Sequence, residues 1–452
     1  MVSASKDEIL KRIKDDNITL VNMQFSDMQG TPKSVTIPTS KLETAIDSGL
    51  WFDGSSVEGF TRIQESDMLL VPDLDTYSII PWLSNGEYAT ARIICDVHMP
   101  DGTPFYGDPR YILKKTLEEA KQIGYIYNTG PELEFFLFKK ENGMLKTSAN
   151  QVIEPHDKGQ YFDMVMDLGF DVRREMISVL QKMGIDVEVS HHEVAPGQHE
   201  IGFRYDNALT TADRAMTLKT VMKAIAAKHG LHATFMPKPV SGINGSGMHV
   251  HQSLFTLHGE NAFYDASGKY KLSKVAYSFL GGQMKHVKAM AAILNPTVNS
   301  YKRLVPGYEA ATYICWAHQN RSALIRIPKY SPGKEKSTRM EIRCPDPSSN
   351  PYLAFAVLLK AGLSGIKEGV VPPLPVEGDV YDFDEKMLEQ KKIDTLPYSL
   401  WDSLKALQRD PVISSVLGED LLKKYVKAKQ DEWDGFRTAV TDWETREYLY
   451  RI

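Results

Sequence analysis

The sequence predicts an α+β protein in which a small, sheet-rich domain at residues 1–104 precedes a large domain at residues 105–452. Three observations support this fold class. The chain of 452 residues is longer than one hydrophobic core usually serves. The part before residue 99 consists mainly of short runs with strand-like alternation, whereas most long amphipathic stretches follow residue 108. The loop MPDGTPFYGDPR at residues 99–110 separates the two patterns and sets the predicted boundary.

The small domain is predicted to open with one helix and to continue as a sheet. Ser5 and Glu8 have the spacing of a capping box, which begins a helix. The strand-like runs that follow are ITLVNMQFSDMQG, SVTIP, MLLVPDL and ATARIICDV. Beyond the loop, Asp108 and Pro109 predict the start of the helix YILKKTLEEAKQIG, because Asp caps helix N-termini and Pro fits the first turn.

In the large domain, predicted strands alternate with long helices. Asn350 before Pro351 predicts a helix start, and Gly230 predicts a helix end. The helical stretches are DVRREMISVLQKMG, NALTTADRAMTLKTVMKAIAAKHG, KVAYSFLGGQMKHVKAMAAIL and NPYLAFAVLLKAGLSGIKEG. The chain after Pro372 is charged and predicted to be mainly helical.

The composition excludes several classes of protein. A formal net charge of -5, without a lysine- or arginine-rich run, gives no attraction for nucleic acid or anionic membranes. Cys95, Cys315 and Cys344 show no CxxC spacing, so neither a disulfide framework nor a zinc ribbon is expected. The N-terminus lacks an apolar signal core, and no run reaches the ~18 apolar residues of a membrane span. We therefore expect a cytoplasmic protein.

Polar side chains lie two residues apart on three predicted strands, and such side chains share one strand face. They are Glu132 and Glu134 in PELEFFLF, His249 and His251 in GSGMHVHQS, and Arg339, Glu341 and Arg343 in RMEIR. A lone E-x-E is usually a solvated edge, but the apolar residues after Glu134 favour an interior strand. Buried carboxylates repel one another unless cations lie between them. The pattern predicts a divalent-metal site.

The segment HHEVAPGQHE adds further candidate ligands to this site. Magnesium and manganese prefer carboxylates, so Glu193 and Glu200 are better candidates than the neighbouring His191 and His192. Arginines near these strands match carboxylate and phosphate oxygens, although one or two of them are expected to form only structural ion pairs. These arginines are Arg303, Arg321, Arg326, Arg339 and Arg343.

Seven segments in order resemble the signatures of type I glutamine synthetases, and the match covers essentially the whole chain. They are FDGSS, PELEFFLF, HHEVAPGQHE, NGSGMHVHQS, NSYKRLVPGYEA, NRSALIRIP and MEIRCPDPSSNPYLAFA. The resemblance implies a small β-grasp domain and a catalytic domain with a curved antiparallel sheet flanked by helices. It also implies ligation of ammonium to L-glutamate through γ-glutamyl phosphate, with ATP as substrate and two or more Mg2+ or Mn2+ ions per active site.

The resemblance further implies a role for each matching residue. The first metal would be held by Glu134, Glu193 and Glu200, and the second by Glu132, His249 and Glu341. The glutamate-binding positions are Asn244, Gly245, Arg303, Glu309 and Arg343. The nucleotide-binding positions are Tyr205, His251, Ser253, Arg321, Arg326, Lys336 and Arg339. The catalytic positions are Asp53, Tyr161, Glu309, Arg321 and Arg339, of which Asp53, Tyr161 and Glu309 fall at the ammonium site.

Regulation and assembly are also expectations from the resemblance. Asp53 reaches a neighbouring subunit in such enzymes, which implies a dodecamer of two hexameric rings. Arg62 matches a position involved in glutamine feedback inhibition in the shorter, non-adenylylated subgroup. Arg173 and Arg174, at an apparently exposed helix start, would bind an anionic effector such as 2-oxoglutarate, unless they are plain solvated charges. Tyr381 is expected to be an ordinary surface tyrosine.

Two questions of function stay open at this stage. The nearest rival activity is ligation of glutamate to a methylamine or polyamine by a γ-glutamyl-amine ligase of the same superfamily. Retention of Asp53 and Tyr161 favours ammonium over such larger nucleophiles. The second question is whether the enzyme also binds a PII-like protein or a repressor, which either activity would allow.

Overall fold

The computed structural model describes residues 4–55, 57, 67–85, 87–146 and 153–452. Its first part consists of helices α1 (Lys6–Asp15) and α2 (Leu42–Ser48) and strands β1 (Ile18–Ser26), β2 (Pro32–Pro38), β3 (Leu50–Asp53), β4 (Asp67–Ile79) and β5 (Ala89–His98). The strands form one sheet in the order β2-β1-β5-β4-β3. The β1–β5 pair is parallel and the other pairs are antiparallel, which gives the expected β-grasp arrangement.

This sheet packs on α1 and α2 around a small core of its own. The side chain of Ser5 accepts a hydrogen bond from the Glu8 backbone N–H at 3.2 Å, as expected for the start of α1. The helix then buries Ile9 against the sheet, where Met23 and Ile93 are also fully buried. Alternation of buried and exposed residues along the strands therefore specifies which face meets the helices.

The second part contains the longer elements. Its strands are β6 (Tyr125–Glu141), β7 (Met144–Leu145), β8 (Val187–His192), β9 (Gln198–Phe203), β10 (Asp206–Asn207), β11 (Leu231–Thr234), β12 (Met248–Thr256), β13 (Tyr313–Ile314), β14 (Trp316–His318), β15 (Ile325–Ile327), β16 (Met340–Ile342) and β17 (Asp394–Thr395). Its helices are α3 (Pro109–Gln122), α4 (Phe170–Lys182), α5 (Ala208–Lys228), α6 (Lys274–Leu294), α7 (Ser300–Arg303), α8 (Pro351–Glu368), α9 (Glu385–Lys391), α10 (Leu400–Arg409), α11 (Pro411–Thr438) and α12 (Asp442–Tyr448).

A curved sheet in the order β14-β15-β16-β12-β6-β9-β8 carries the candidate site. Its strand pairs are antiparallel, as expected, except that β14 and β15 run parallel. The sheet is therefore mixed at this edge. Each of these two strands is three residues long, which is too short for alternation in the sequence to reveal its direction.

Helices α3 and α5 pack against β6, and α6 reaches the same face of the sheet through Phe279, which contacts Tyr127. Helices α6 and α8 approach so closely that a Cβ added to Gly282 would lie 2.2 Å from the carbonyl oxygen of Ala361. Asn350 begins α8, as predicted, and its side chain accepts a hydrogen bond from the Tyr352 backbone N–H at 3.0 Å. The helices thus form a rigid backing for strands whose other face carries charge.

A buried guanidinium connects the first sheet to helices of the larger part of the chain. Arg110 on α3 lies 2.7 Å from Asp73 and 2.7 Å from Asp96, both on the first sheet, and 2.9 Å from Asp213 on α5. Charged groups buried this deeply need such partners. The link therefore fixes how the β-grasp sheet sits on the larger part of the chain.

Two expectations from composition can be compared with the structure. All three cysteines are buried and free. Across the described ranges, none of the helices combines the length and the apolar character needed to cross a membrane.

Candidate active site

Strand register brings the charged side chains of four strands together. On β6, Glu132 lies opposite His249 of β12, and Glu134 lies opposite Glu200 of β9. Glu200 in turn lies opposite His191 of β8. These side chains line a cavity of about 280 Å³, which we call the metal cavity. The alternation seen in the sequence therefore places the predicted ligands on one face of the sheet.

The opposite face of β6 is apolar at the positions beside the two glutamates. Leu133 and Phe135 are fully buried in the main core, while Glu132 and Glu134 face the metal cavity. All six predicted metal ligands line this cavity. So do eight further predicted residues, namely Tyr161, Asn244, Gly245, Arg303, Glu309, Arg321, Arg326 and Arg343.

Three glutamates lie at one end of the metal cavity, and we call them the carboxylate cluster. They are Glu134, Glu193 and Glu200. Burial and the charge of Glu200 raise the pKa of Glu134 to about 8. Burial and the charges of Glu134 and Glu200 raise the pKa of Glu193 to about 8. Three crowded carboxyl groups form an oxygen-rich set that fits a hard divalent cation, since such an ion would offset this repulsion.

Two residues beside this cluster were not selected from the sequence. Gln198 donates hydrogen bonds to Glu134 at 2.8 Å and to the carbonyl of Gly245 at 3.1 Å. His191, which ranked below the glutamates, has its ring nitrogens 3.5 Å from Glu193 and 3.6 Å from Glu200. Gln198 lies two residues before Glu200 on β9, so the same period-two rule would have found it.

A second group of candidate ligands lies at the other end of the metal cavity, and we call it the arginine-paired cluster. It consists of Glu132, His249 and Glu341. Glu341 is fully buried and accepts hydrogen bonds from Arg343 and, at 2.5 Å, from Arg326. Burial alone would raise the pKa of Glu341, but Arg343 and the nearby histidines lower it to about 2. Glu341 stays ionised because cationic side chains already lie against it.

The imidazole in this cluster is neutral and available as a ligand. Burial and the charge of Arg343 lower the pKa of His249 to about 4. Its Nδ1 atom lies 3.5 Å from Glu132 and 3.7 Å from Glu341. A neutral imidazole between two carboxylates is a donor set that fits magnesium or manganese.

A second cavity of about 290 Å³ adjoins the first and shares Glu132 with it. Its lining includes five of the predicted nucleotide-binding residues, namely Tyr205, His251, Ser253, Lys336 and Arg339. The other two predicted residues, Arg321 and Arg326, line the metal cavity. His251 connects the cavities, because its Nε2 lies 2.9 Å from Glu132 while its Nδ1 accepts a hydrogen bond from Arg339 at 3.2 Å.

Arg303 is held in a buried position at the wall of the metal cavity. Its guanidinium donates to the carbonyl of Cys344 at 2.8 Å. A Cβ on Gly247 would lie 2.6 Å from the same guanidinium, so glycine is needed for this close approach. Opposite, the Asn244 amide donates to Glu309 at 3.2 Å. The cavity wall thus presents a fixed cation beside a loop carboxylate.

Some predicted residues lie outside both cavities. Asp53 is exposed on β3 of the first sheet, where its carboxylate accepts a hydrogen bond from the Ser55 backbone N–H at 2.8 Å. Arg62 falls outside the described residues. Tyr161 does line the metal cavity, and burial raises the pKa of its hydroxyl.

The prediction of an exposed arginine pair is wrong for Arg173. Arg173 is buried, 2.7 Å from Asp167, and its Nε donates to the Ser190 hydroxyl at 2.8 Å. Only Arg174 is solvated, 3.0 Å from Asp171. Adjacent residues on a helix point about 100° apart, so one of the two faces the core.

A buried group behind the carboxylate cluster also escaped the sequence analysis. Asp157 lies 2.8 Å from Nε2 of His192 and 4.0 Å from Nε2 of His199. Arg173 donates to Nδ1 of His199 at 2.8 Å, so Nε2 of a neutral His199 carries the proton and cannot bind a metal. The group instead supports the strand ends that hold Glu193 and Glu200.

Comparisons with known proteins agree with this geometry. Residues 17–100 match the beta-Grasp domain of glutamine synthetase, and residues 106–448 match its catalytic domain. The chain is 50% identical to the glutamine synthetase of Clostridium saccharobutylicum over 451 residues, which cover 99% of each chain. It is also 50% identical to that of Thermus thermophilus over 450 residues, covering 98% of this chain and 99% of the other.

Solved structures show the same architecture. A Plasmodium falciparum glutamine synthetase superposes with a TM-score of 0.89 at 27% identity, covering 99% of both chains. A structure described as a GmaS/ADP complex superposes with a TM-score of 0.86 at 32% identity, covering 98% of this chain and 99% of that one.

Proposed function

The chain belongs to the glutamine synthetase family and catalyses ATP-dependent glutamine synthesis, and we propose how its two cavities divide this work. Glutamate and ammonium occupy the metal cavity, and the nucleotide occupies the second cavity. The observation that carries this proposal is that Glu132 lines both cavities. The γ-phosphate of ATP and the γ-carboxylate of glutamate would therefore meet beside it. We also propose residues 1–104 and 105–452 as the two domains.

Two divalent ions, Mg2+ or Mn2+, complete the metal cavity in this proposal. The carboxylate cluster holds the first ion and the arginine-paired cluster holds the second. When bound, the ions neutralise phosphate and carboxylate oxygens, so that two anions can approach each other. The raised pKa values of Glu134 and Glu193 support this assignment, because among the described residues burial and neighbouring carboxylates outweigh the lowering effects of Arg303 and Arg343 on Glu134 and of His191 on Glu193.

Arginines hold glutamate and the transferred phosphoryl group. Arg303 binds the α-carboxylate, beside Asn244 and Gly245, because its guanidinium is fixed in the cavity wall. Arg343 faces the γ-carboxylate, which attacks the γ-phosphorus of ATP to give γ-glutamyl phosphate and ADP. Further guanidinium groups stabilise the charge on the oxygens around phosphorus. They belong to Arg321, Arg326 and Arg339.

The nucleotide is placed by the walls of the second cavity. The exposed ring of Tyr205 offers a stacking surface for the base, and Ser253 offers a hydroxyl. His251 donates its Nε2 proton to Glu132 because Arg339 occupies its Nδ1. Lys336 adds a positive charge for the phosphates. These contacts orient the γ-phosphate towards the metal cavity.

Ammonium enters at the side of the cavity formed by Tyr161 and Glu309. Asp53 of a neighbouring subunit attracts the cation and removes a proton, and the resulting ammonia attacks the acyl carbon and displaces phosphate. Glu309 closes over the intermediate and excludes water. The position of Asp53 on an exposed strand, outside the cavities of its own chain, supports this sharing.

Shared sites require an oligomer, and we propose a dodecamer of two hexameric rings. Exposed apolar side chains follow Tyr161 in the chain, including Phe162 at 64%, Met164 at 87% and Val165 at 77% exposure. Apolar patches of this kind are usually covered by a partner. We further propose a cytoplasmic location and a PII-like or repressor protein as a partner.

One experiment tests the proposed division of work. Asp53→Ala should abolish glutamine formation while both metal sites still bind Mn2+, and normal ammonium-dependent turnover in this variant would refute the assignment. Mixing Asp53→Ala subunits with Glu134→Ala subunits should restore part of the activity if sites are shared. Wild-type turnover with methylamine or putrescine that exceeds turnover with ammonium would favour the rival γ-glutamyl-amine ligase.

Regulatory roles are narrower proposals. We propose that Arg62 takes part in glutamine feedback inhibition, which an Arg62→Ala enzyme should lose. Arg174 is the solvated member of its pair and faces a shallow cavity with Phe170 and Ser190, where an anion such as 2-oxoglutarate would bind. Arg173 also lines this cavity, although Asp167 already pairs with it. Titration of activity with 2-oxoglutarate tests this site.

A further inference from the structure

Two loops bring proposed catalytic residues to the metal cavity. The first, residues 304–312, carries Glu309, whose φ angle of 55° lies in the left-handed region. A non-glycine residue adopts this conformation only when its surroundings hold it there. The second, residues 319–324, carries Arg321 between β14 and β15. Both loops are held by contacts from a third segment of the chain.

The segment at residues 376–382, which we call the strap, contacts the Arg321 loop at two points. Asn320 donates to the carbonyl of Gly378 at 2.7 Å. The Ser322 hydroxyl accepts a hydrogen bond from the Val380 backbone N–H at 3.1 Å. These partners flank Arg321 on both sides in the chain. The strap therefore fixes the backbone from which this guanidinium enters the cavity.

The same strap contacts the Glu309 loop through Tyr381. Its hydroxyl donates to the carbonyl of Ala310 at 2.9 Å, although 71 residues separate the two in sequence. Ala310 is buried and directly follows Glu309. The Asp379 side chain accepts a hydrogen bond from the Tyr381 backbone N–H at 3.0 Å and fixes the turn. Tyr381 is half-buried, so the expectation of an ordinary surface tyrosine is wrong.

The strap is itself anchored in a small apolar cluster. Val380 is fully buried there against Cys315, Ala317 and Ala323. Tyr381 follows directly, and burial raises the pKa of its hydroxyl to about 12, so it keeps its proton and can donate. A rigid anchor with a single hydrogen-bond donor at its end is suited to fixing a neighbouring loop.

We propose that Tyr381 is a positioning residue, whose hydroxyl holds the Glu309 loop closed over the metal cavity while the strap ties that loop to the Arg321 loop. The inference rests on the proposed role of Glu309 in excluding water. Tyr381 touches neither substrate nor nucleotide in this proposal. It acts through the carbonyl of Ala310, one residue from the carboxylate that closes the site.

The expected consequence is a change in coupling rather than a simple loss of rate. When the loop opens early, water replaces ammonia as the nucleophile at γ-glutamyl phosphate. Water adds to the acyl phosphate, the bond to phosphate breaks, and glutamate and inorganic phosphate are released. ATP is then consumed without formation of glutamine. A loop held less firmly should therefore raise the ratio of ADP to glutamine.

The test is the Tyr381→Phe variant, which removes the hydroxyl and keeps the ring. Loss of one hydrogen bond corresponds to about a fivefold shift between closed and open loop. We expect a comparable rise in ADP formed per glutamine at limiting ammonium, with little change in KM for ATP. Tyr313→Phe is the matched control, because it removes the hydroxyl of a neighbouring ring, whose centroid lies 6.4 Å from that of Tyr381. It should leave the ratio unchanged.

Glu309→Gln separates the failure of this inference from failure of the proposed function. A raised ratio in Glu309→Gln with an unchanged ratio in Tyr381→Phe would overturn the role of Tyr381 alone. An unchanged ratio in Glu309→Gln would overturn the proposed role of Glu309 itself. If Tyr381→Phe lowers ADP and glutamine formation equally, the hydroxyl is merely structural and the inference is also wrong.

Discussion

The two ends of the metal cavity hold similar candidate ligands in opposite electrostatic states. In the carboxylate cluster, repulsion and burial raise the pKa of Glu134 and Glu193 to about 8. In the arginine-paired cluster, Arg326 and Arg343 contact Glu341, whose pKa is lowered to about 2. One end is therefore protonated near neutral pH without a cation, whereas the other stays ionised.

This difference in pKa means that the two clusters depend on a metal ion to different degrees. The carboxylate cluster needs a bound cation to offset its negative charge, whereas arginines already offset part of the charge of the arginine-paired cluster. A carboxylate without a cationic partner must lose a proton before it binds an ion, so ion binding and proton release are linked there. A carboxylate already paired with guanidinium groups needs no such exchange. Five predictions test this difference between the two clusters, and the first has the largest expected effect.

Glu341→Gln should destabilise the metal-free protein by about 3–5 kcal/mol, because two guanidinium groups lose their buried anion. The free energy of unfolding in urea at pH 7 would measure this. Glu134→Gln is the matched control at the other end of the cavity. It should keep or raise stability, since that carboxyl group is largely protonated at this pH. Equal losses in the two variants would contradict the comparison.

Glu134→Ala should remove the ion of the carboxylate cluster and leave the other ion in place. Loss of an outer partner costs roughly 10- to 100-fold in metal affinity, and loss of a direct ligand should cost at least the upper value. Anomalous scattering from manganese-soaked crystals would show one peak per site instead of two. An unchanged pair of peaks would refute the assignment of Glu134 as a ligand.

Manganese affinity at the carboxylate cluster should rise as pH increases from about 6 to 8. A carboxyl group that must release one proton gives up to about a tenfold gain per pH unit until the pH passes its pKa. The arginine-paired cluster should be nearly flat over this range, because the pKa of Glu341 is about 2. Isothermal titration in buffers of different ionisation heat would count the protons released.

The same raised pKa values predict how the metal-free fold responds to pH. Between the ordinary carboxyl pKa and about pH 8, Glu134 and Glu193 bind more protons in the folded state than in the unfolded state. Their contribution to the free energy of unfolding therefore falls as pH rises. Saturating Mn2+ should reduce the dependence. Thermal unfolding across this range, with and without the ion, would detect the difference. If the metal-free protein became more stable towards pH 8 through these groups, the predicted direction of the pH dependence would be wrong.

Gln198→Met should have the smallest effect, which is a loss of about tenfold in manganese affinity at the carboxylate cluster. The amide of Gln198 orients Glu134, so its loss should leave the ligand present but less fixed. Gln181→Met, at an exposed position of α4, is the control for a generic change of glutamine to methionine. A Gln198→Met enzyme with wild-type affinity would show that this hydrogen bond does not orient the ligand.

Most of the fold, and the placement of candidate ligands on one strand face, could be predicted because they depend on local periodicity. Alternation in PELEFFLF identified Glu132 and Glu134 on one strand face, and helix α6 occupies the predicted stretch from Lys274 to Leu294. Such patterns are visible in one strand or helix at a time. The resemblance then assigned ligands from separate strands to separate ions.

The remainder depends on contacts between distant parts of the chain. The hydrogen bond from Tyr381 to the Ala310 carbonyl leaves no pattern in either segment. The burial of Arg173 depends on how α4 is rotated against β8 and β9, and its partner Asp167 precedes the helix in a loop. The parallel direction of β14 follows from packing around a very short strand. Sequence periodicity carries no information about these choices.

The alternation along β6 also makes the proposed metal ligands important for correct folding. A slip of one residue against β12 would place Leu133 and Phe135 in the metal cavity and force two carboxylates into the apolar core. Strand pairing tolerates such a slip poorly when one face is buried. Selection for charge at Glu132 and Glu134 therefore also selects against misregistered chains, so chemistry and assembly fidelity depend on the same side chains.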